Sequence, residues 1–578
     1  MSGRASIPRP EYPRPQLERS HWLNLNGTWE FELDPGMSGE ERGLHLGRQL
    51  QRSITVPFPP ESELSGIGEK DFMRCVWYRR SFTLPEEWQG KRILLHFGAV
   101  DYHAAVWVNG QQAGNHRGGY SPFFFEITHL LKSGENFIVV RAVDDTRSSL
   151  QPSGKQCMEF ESHGCHYTRT TGIWQTVWLE PVPAAYLHSF KLYPDADGAK
   201  MTIHAKVDGD TSGCSLSAEA FALGERVGCA RISASGHTVF TVDLSERRLW
   251  EPGDPFLYDL QFCLLKDGEQ IDLVKNYFGL RKVSIQGKKV LINNKPVFQR
   301  LVLDQGFYPD GIYIAPSDAA LHRDIELSMA MGFNGARLHQ KVFEPRFLYW
   351  ADRLGYLVWG EYPDWGLDHS HPAALERMLP EWMEVLDRDF NHPSIVGWCP
   401  FNETPRSQNP ELLRSIYRAT KSFDPTRPVI DTSGYVHVET DIYDCHNYEQ
   451  DPRKFASSFE DFRTSESAWN NFPQESAPYR GQPYFVSEYG GIWWNPGQTE
   501  DKSWGYGARP KTEEEFLERY RALTEALLFH PKMFGFCYTQ LYDIEQEVNG
   551  LHTYDRRPKF DPELVRRINS QRAAIESE

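Results

Sequence analysis

Two apolar runs in the C-terminal half of the chain each stop at a carboxylate. Trp398-Cys399-Pro400-Phe401-Asn402 leads to Glu403, and Tyr484-Phe485-Val486-Ser487 leads to Glu488. Short apolar runs of about four to eight residues fit strands buried in a parallel sheet. If such a sheet closes into a barrel, the C-terminal end of each strand faces the mouth where that fold does its chemistry. Two carboxyls in one mouth are the pair that glycoside hydrolysis requires, one as proton donor and one as nucleophile or base. Glu403 must then start protonated and Glu488 must start ionised.

Positioning two residues so far apart in sequence takes a repeating scaffold. After Lys282 strand-like runs alternate with helical stretches, the pattern of a βα-repeat domain. Strands are expected near 298–303, 333–338, 356–359, 395–401, 429–432, 441–446, 484–487 and 533–539. Helices are expected at 317–331, 345–354, 374–390, 411–423 and 512–528, with Ser317 as an N-cap. The stretch 451–480 is polar and irregular and reads as a long loop around one short helix. Eight such units make a (β/α)₈ TIM barrel over 284–578.

The first half has a different rhythm. From Trp22 to Pro183, short alternating runs such as Thr28-Trp29-Glu30-Phe31 and Ala105-Val106-Trp107-Val108 are broken by Asn26-Gly27 and Asn109-Gly110 turns. This predicts an antiparallel jelly-roll sandwich over 1–184. A smaller unit of short strands over 185–283 predicts an immunoglobulin-like sandwich without the Cys–Trp–Cys spacing of antibody domains.

Composition narrows the partners. The 578-residue chain has a formal net charge of −17, which disfavours nucleic acid and anionic membrane surfaces. Its 9 cysteines are scattered and suit no metal knuckle or disulfide framework, so reduced thiols and a cytoplasmic location are expected. Met1 to Leu17 lacks the apolar segment of a signal peptide. No run is long enough for a membrane span. The 17 tryptophans suit sugar binding, although β-rich domains also bury many aromatics.

The chain resembles glycoside hydrolase family 2, which holds many bacterial β-galactosidases, β-glucuronidases and β-mannosidases. The resemblance runs through Leu25-Asn26-Gly27-Thr28-Trp29, Asp101 to Gly110, Gly119-Tyr120-Ser121-Pro122-Phe123 and Gly172-Ile173-Trp174-Gln175. It continues through Phe278-Gly279-Leu280-Arg281-Lys282 and Asn391-His392-Pro393 to Asn402-Glu403. It implies Glu403 as general acid/base and Glu488 as nucleophile. It also implies Asn402 as partner of the sugar 2-hydroxyl, Arg337 as support for the nucleophile, and Tyr448 of His446-Asn447-Tyr448 as a further contact to it.

Several stretches depart from better-known members. Arg337-Leu338-His339-Gln340-Lys341 follows the second strand, Gly360-Glu361-Tyr362-Pro363-Asp364-Trp365 the third, and Phe536 to Asp543 lacks the usual Trp of the pyranose floor. Tyr538 or Tyr542 is the substitute in view. The Asn-x-Lys motif that reads a uronic carboxylate is absent, which speaks against a β-glucuronidase. His446, Asp304, Lys341, Glu361 and Asp364 lie at strand ends where they meet either sugar hydroxyls or rim partners. Trp494 reads equally as a sugar platform or as packing on the rim, and Cys399 reads as core. Asp368, His369 and His371 read as a solvated loop rather than a metal site.

The expectation is an exo-acting retaining glycosidase, β-galactosidase-like, with no cofactor and no metal, acting on an oligosaccharide or glycoconjugate. β-D-Galactofuranose and α-L-arabinose are the alternative sugars, and a non-catalytic carbohydrate-binding scaffold is the alternative class. Relatives often complete their sites with a neighbouring subunit, so a homo-oligomer is compatible with the resemblance.

Overall fold

The computed structural model describes residues 7–498 and 502–577. Residues 1–6 of the opening stretch read above as leaderless lie outside the described residues.

The N-terminal part is an antiparallel sandwich. A six-stranded sheet runs in the order Arg52–Val56, Gly27–Leu33, Cys75–Thr83, Glu135–Val143, His103–Val108 and Gln111–Arg117. It faces a four-stranded sheet of Leu23–Asn24, Val177–Val182, Arg92–Phe97 and Phe123–Glu126. Trp29, Phe31, Tyr78, Leu95, Val106 and Val140 fill the space between them. The middle unit repeats the principle with a three-stranded and a four-stranded sheet. In its strand Cys214–Ala222 every second residue is buried, the period of a sheet with one wet face.

The C-terminal part is a TIM barrel. Seven parallel strands form one sheet in the order Ile395–Cys399, Leu357–Glu361, Gly335–Leu338, Gln299–Asp304, Met533–Thr539, Tyr484–Gly490 and Tyr443–Asn447. The last three of these carry no exposed residue, as expected for strands covered on both faces. Ser317 caps the helix Asp318–Ala330 by accepting from the Ala320 amide. The helix Pro345–Leu354 starts on a proline and ends at Gly355, whose φ of 70° suits a residue without Cβ.

One expected strand is not a strand. Residues 429–432 make one isolated bridge, Trp398 to Val429, and the next residue, Ser433, makes another to Asn402. On the side where a ladder to Tyr443–Asn447 belongs, side chains take the amides. Asp441 accepts from Val429 N at 3.0 Å, and Thr440 accepts from Asp431 N at 3.3 Å. The 451–480 stretch also differs, holding two short helices, Pro452–Ser457 and Glu460–Thr464, rather than one. All nine cysteines are free, and among the described residues no helix is long and apolar enough to cross a membrane.

The sandwiches are tied to the barrel by specific polar contacts. Trp250 Nε1 donates to the Asp352 carbonyl at 2.7 Å and the Tyr277 hydroxyl to Asp352 Oδ2 at 2.8 Å. The loop between Val143 and Gly172 leaves the first sandwich and crosses onto the barrel mouth, where Ser153 N donates to Trp365 O at 2.8 Å and Asp368 N to Ser149 O at 2.7 Å.

Candidate active site

Arg337 is the hub beneath the mouth. It is the penultimate residue of the strand Gly335–Leu338 and is fully buried. Nη1 donates to Glu488 Oε1 at 3.1 Å and to Ser487 O at 2.8 Å. Nη2 donates to Glu361 Oε2 at 2.7 Å and to Asn402 Oδ1 at 3.1 Å. A planar guanidinium suits this fixed fork of acceptors. One cation thus orients the nucleophile candidate, the third-strand carboxylate and the residue before the acid/base candidate.

Glu488 is held on both oxygens. Tyr448 Oη donates to Oε2 at 2.5 Å, and the Tyr448 ring stacks on Tyr506 with centroids 3.6 Å apart. Burial works against ionising Glu488, but the positive His446 and Arg337 and the Tyr448 hydroxyl outweigh it and hold its carboxyl well below the usual range. Burial and the neighbouring Glu488 push the Tyr448 hydroxyl well up, so it stays a donor.

Glu403 sits in a different setting. Its φ is 49°, a left-handed conformation sparsely used by residues with a Cβ. Glu403 N donates to Ser433 O at 2.9 Å, so the irregular 428–433 segment fixes this turn. His446 Nδ1 lies 2.6 Å from Glu403 Oε1, and His446 Nε2 lies 3.5 Å from Glu488 Oε1. One oxygen of each carboxylate and one ring nitrogen of His446 fall within 4.8 Å of one another. Burial would lower the His446 pKa, but Glu488 and Glu403 raise it above the ordinary imidazole range. These three side chains have spacing that admits a cation, yet Arg337 already brings positive charge to Glu488.

Asn402 is fixed from three directions. Its amide N donates to Asp364 Oδ1 at 3.0 Å, its carbonyl accepts from Trp365 Nε1 at 3.0 Å, and its side-chain oxygen accepts from Arg337. Its Nδ2 is buried with no partner. A buried orphan donor costs about 1–3 kcal/mol, and it lies beside the catalytic candidates, where a sugar hydroxyl would accept from it.

The structure sorts the remaining sequence candidates. Glu361 pairs with Arg337 and lies 2.8 Å from His339 Nδ1, which makes it a support. Asp364 accepts from Gln340 Nε2 at 2.5 Å and lies 3.1 Å from His369 Nε2. His369 is therefore buried against Phe401 and not solvated, whereas Asp368 and His371 are exposed. Asp304 accepts from Gly306 N at 3.0 Å and from the Tyr542 hydroxyl, which uses Tyr542 up as a floor. Lys341 donates to the Tyr313 and Gly306 carbonyls and is structural. Tyr538 is fully buried against Tyr489 and Tyr520. Trp494 packs on Phe516 of the helix Glu513–Leu528, so its ring is used by the rim.

Some residues at the mouth were missed. Trp365, Tyr506 and Glu547 come from loops, and Lys155 comes from the N-terminal sandwich. Tyr167 donates to Glu547, and Thr168 N donates to Glu545 Oε1 at 3.1 Å, which joins the sandwich loop to the loop after the last barrel strand. Of these only Trp365 stood in a quoted motif; the others lie in loops whose composition signals nothing about a site.

Comparison with known proteins agrees with this architecture. Residues 23–183 match the model of the glycosyl hydrolases family 2 sugar binding domain, 185–281 that of glycosyl hydrolases family 2, and 283–571 that of the family 2 TIM barrel domain. The chain belongs to glycoside hydrolase family 2. As a glycosidase of that family it is similar to a β-glucuronidase of Paenibacillus borealis, 26% identical over 72% of this chain and 74% of the relative. A β-galactosidase of Thermoanaerobacter pseudethanolicus is 28% identical over 62% of this chain, which spans 49% of that longer relative. Among solved structures, a β-glucuronidase from an uncultured Clostridium species superposes with a TM-score of 0.81 at 21% identity, covering 96% of this chain and 99% of that one.

Proposed function

We propose that the protein is an exo-acting retaining glycosidase that releases a terminal β-D-galactose-type sugar from an oligosaccharide or glycoconjugate. The observation that carries this reading is the proximity of Glu403 and Glu488, with one oxygen of each inside a 4.8 Å cluster. Inverting enzymes keep their carboxyls roughly 6.5–9.5 Å apart to admit water, whereas retaining ones hold them at about 5–5.5 Å. Glu488, ionised and clamped, attacks the anomeric carbon. The bond to the leaving oxygen breaks as Glu403 gives that oxygen its proton. Water then attacks the glycosyl ester, Glu403 takes the water proton, and Glu488 is released. The loops joined through Tyr167 and Glu547 close one side of the mouth, which favours a pocket for a chain end.

The relatives carry both the β-glucuronidase and the β-galactosidase name. Glu361, Glu403, Glu488 and Glu547 face this region against Arg337, Lys155 and His446. The Asn-x-Lys motif that reads a uronic carboxylate is absent from the sequence, which favours a neutral sugar over a uronate. The test is a panel of aryl glycosides with the first product anomer read by NMR. A β-galactoside hydrolysed to the β-anomer is expected. The α-anomer as first product would defeat the retaining mechanism, and preference for a β-glucuronide would defeat the galactose assignment.

A further inference from the structure

Three lysines are buried at or near the barrel mouth, and two of them have their donors filled. Lys341 donates to the Gly306 and Tyr313 carbonyls. Lys559 donates to Asp543 Oδ1 at 2.6 Å and to the Trp494 carbonyl. Lys155 is 6% exposed, and no oxygen among the described residues lies within hydrogen-bond reach of its ammonium. Its Nζ lies 3.8 Å from the centre of the Trp365 ring, and the Cys165 thiol is a polar neighbour.

The placement is built rather than incidental. Gly154, next to Lys155, has φ +57°, and a Cβ there would lie 2.3 Å from the Gln340 carbonyl oxygen. Gly154 N and Ser153 N both donate to the Trp365 carbonyl, at 3.0 and 2.8 Å. The same Trp365 donates from Nε1 to the Asn402 carbonyl, so the surface under the ammonium adjoins Glu403. Burial disfavours the charged form, yet Cys165, Glu547, Glu488 and Glu403, in falling order, keep the lysine protonated. Trp365 thus links the ammonium to Asn402, whose Nδ2 is the unpartnered buried donor of the site. Glu547 lies in the same field, with its oxygens engaged by Tyr167 and Asn549.

Most of the Lys155 side chain is out of water while its ammonium has no protein oxygen as partner among the described residues, so it lacks the compensation that charges in such surroundings normally have. A sugar hydroxyl would supply it. We infer that Lys155, delivered by the N-terminal sandwich, is a substrate-binding residue that donates to a hydroxyl oxygen of a neutral glycone in the barrel mouth. This rests on the glycosidase reading above.

The test is a cycle between Lys155→Met and monodeoxy aryl glycosides, the 3-, 4- and 6-deoxy forms of the preferred sugar. Methionine keeps the apolar stem on Trp365 and removes the charge. The variant should lose about 10- to 100-fold in kcat/KM on the parent glycoside. In the unsubstituted protein one deoxy position should lose a similar factor, and that position should cost Lys155→Met nothing further. A purely structural lysine would leave all three deoxy losses intact in the variant, and that result overturns the inference. So does a kcat/KM within about threefold of the parent, or a uronide that is preferred by the parent and lost in the variant. Lys155→Gln carries the same cycle if the methionine variant does not fold. A Glu488→Gln variant that stays active sinks the glycosidase reading itself; an inactive one beside an unaffected Lys155 variant sinks only this inference.

Discussion

The two carboxylates of the mouth are held in opposite ways. Glu488 lies inside the strand Tyr484–Gly490 with both oxygens engaged, by Arg337 and Tyr448, and its side chain is 6% exposed. Glu403 stands at a left-handed turn beyond its strand, has His446 as its one side-chain hydrogen-bond partner among the described residues, and has a side chain 17% exposed. The difference matches two tasks. A nucleophile needs fixed charge and a fixed line of attack, so donors and a cation surround it. An acid/base group must give a proton to one partner and take one from water, so it keeps an open side and a soft contact.

The sharpest way to break this contrast is to neutralise each side in turn. Glu488→Gln should lower kcat by about 10⁴-fold or more for every leaving group, because no other group forms the glycosyl ester. Glu403→Ala should cost about 10²–10⁴-fold for poor leaving groups and far less for activated phenols, which leave without a proton. Steady-state kinetics over a series of aryl glycosides measures both. Equal sensitivity of the two variants to the leaving group would erase the distinction between the sides.

His446 links the sides, and its replacement sharpens the comparison. The imidazole faces Glu403, Glu488 and the Ser433 hydroxyl, 3.0 Å from Nε2, and its pKa is raised by the two carboxylates. It holds a proton for the pair it forms with Glu403. His446→Gln should move the basic limb of kcat/KM to lower pH and reduce activity at neutral pH about tenfold. An unmoved basic limb would show that His446 only packs.

The smallest effect on activity is expected below the site. His437 is buried between Asp431, at 2.8 Å, and Asp444, at 3.2 Å. Burial opposes its charge, but the two aspartates push its pKa up to about 10. A raised folded-state value means stabilisation that is complete below the unfolded pKa of about 6.5 and is lost as pH rises through about 10. Thermal melts of the unsubstituted protein should therefore weaken across that window. His437→Gln should be less stable at pH 6.5, by about 3 kcal/mol, and flatter above it, with a modest change in kcat.

Much of the barrel was legible because its signals are local. The helix Pro345–Leu354 was bounded by a proline and a glycine, Ser317 capped its helix as its type suggests, and the apolar runs ending at Glu403 and Glu488 marked two strands. The 429–432 run misled because strand propensity does not reveal that Asp441 and Thr440 would take its amides. Asp304 and Trp494 stood open between sugar contact and rim packing for a related reason. Asp304 ends its strand and Trp494 lies in the loop after Tyr484–Gly490, and their contacts to Tyr542 and Phe516 are not written locally.

Sequence alone carried the resemblance to the family, the order of sandwiches and barrel, and the two glutamates as candidates, since motifs, periodicity and residue type are written along the chain. Tertiary structure decided which charges meet. Arg337 joins four acceptors from three other segments, His446 bridges two carboxylates, and Lys155 comes from a sandwich loop across a domain seam. Electrostatic contacts fall off over a few ångströms, and such distances arise only once long loops have closed and the domains have docked.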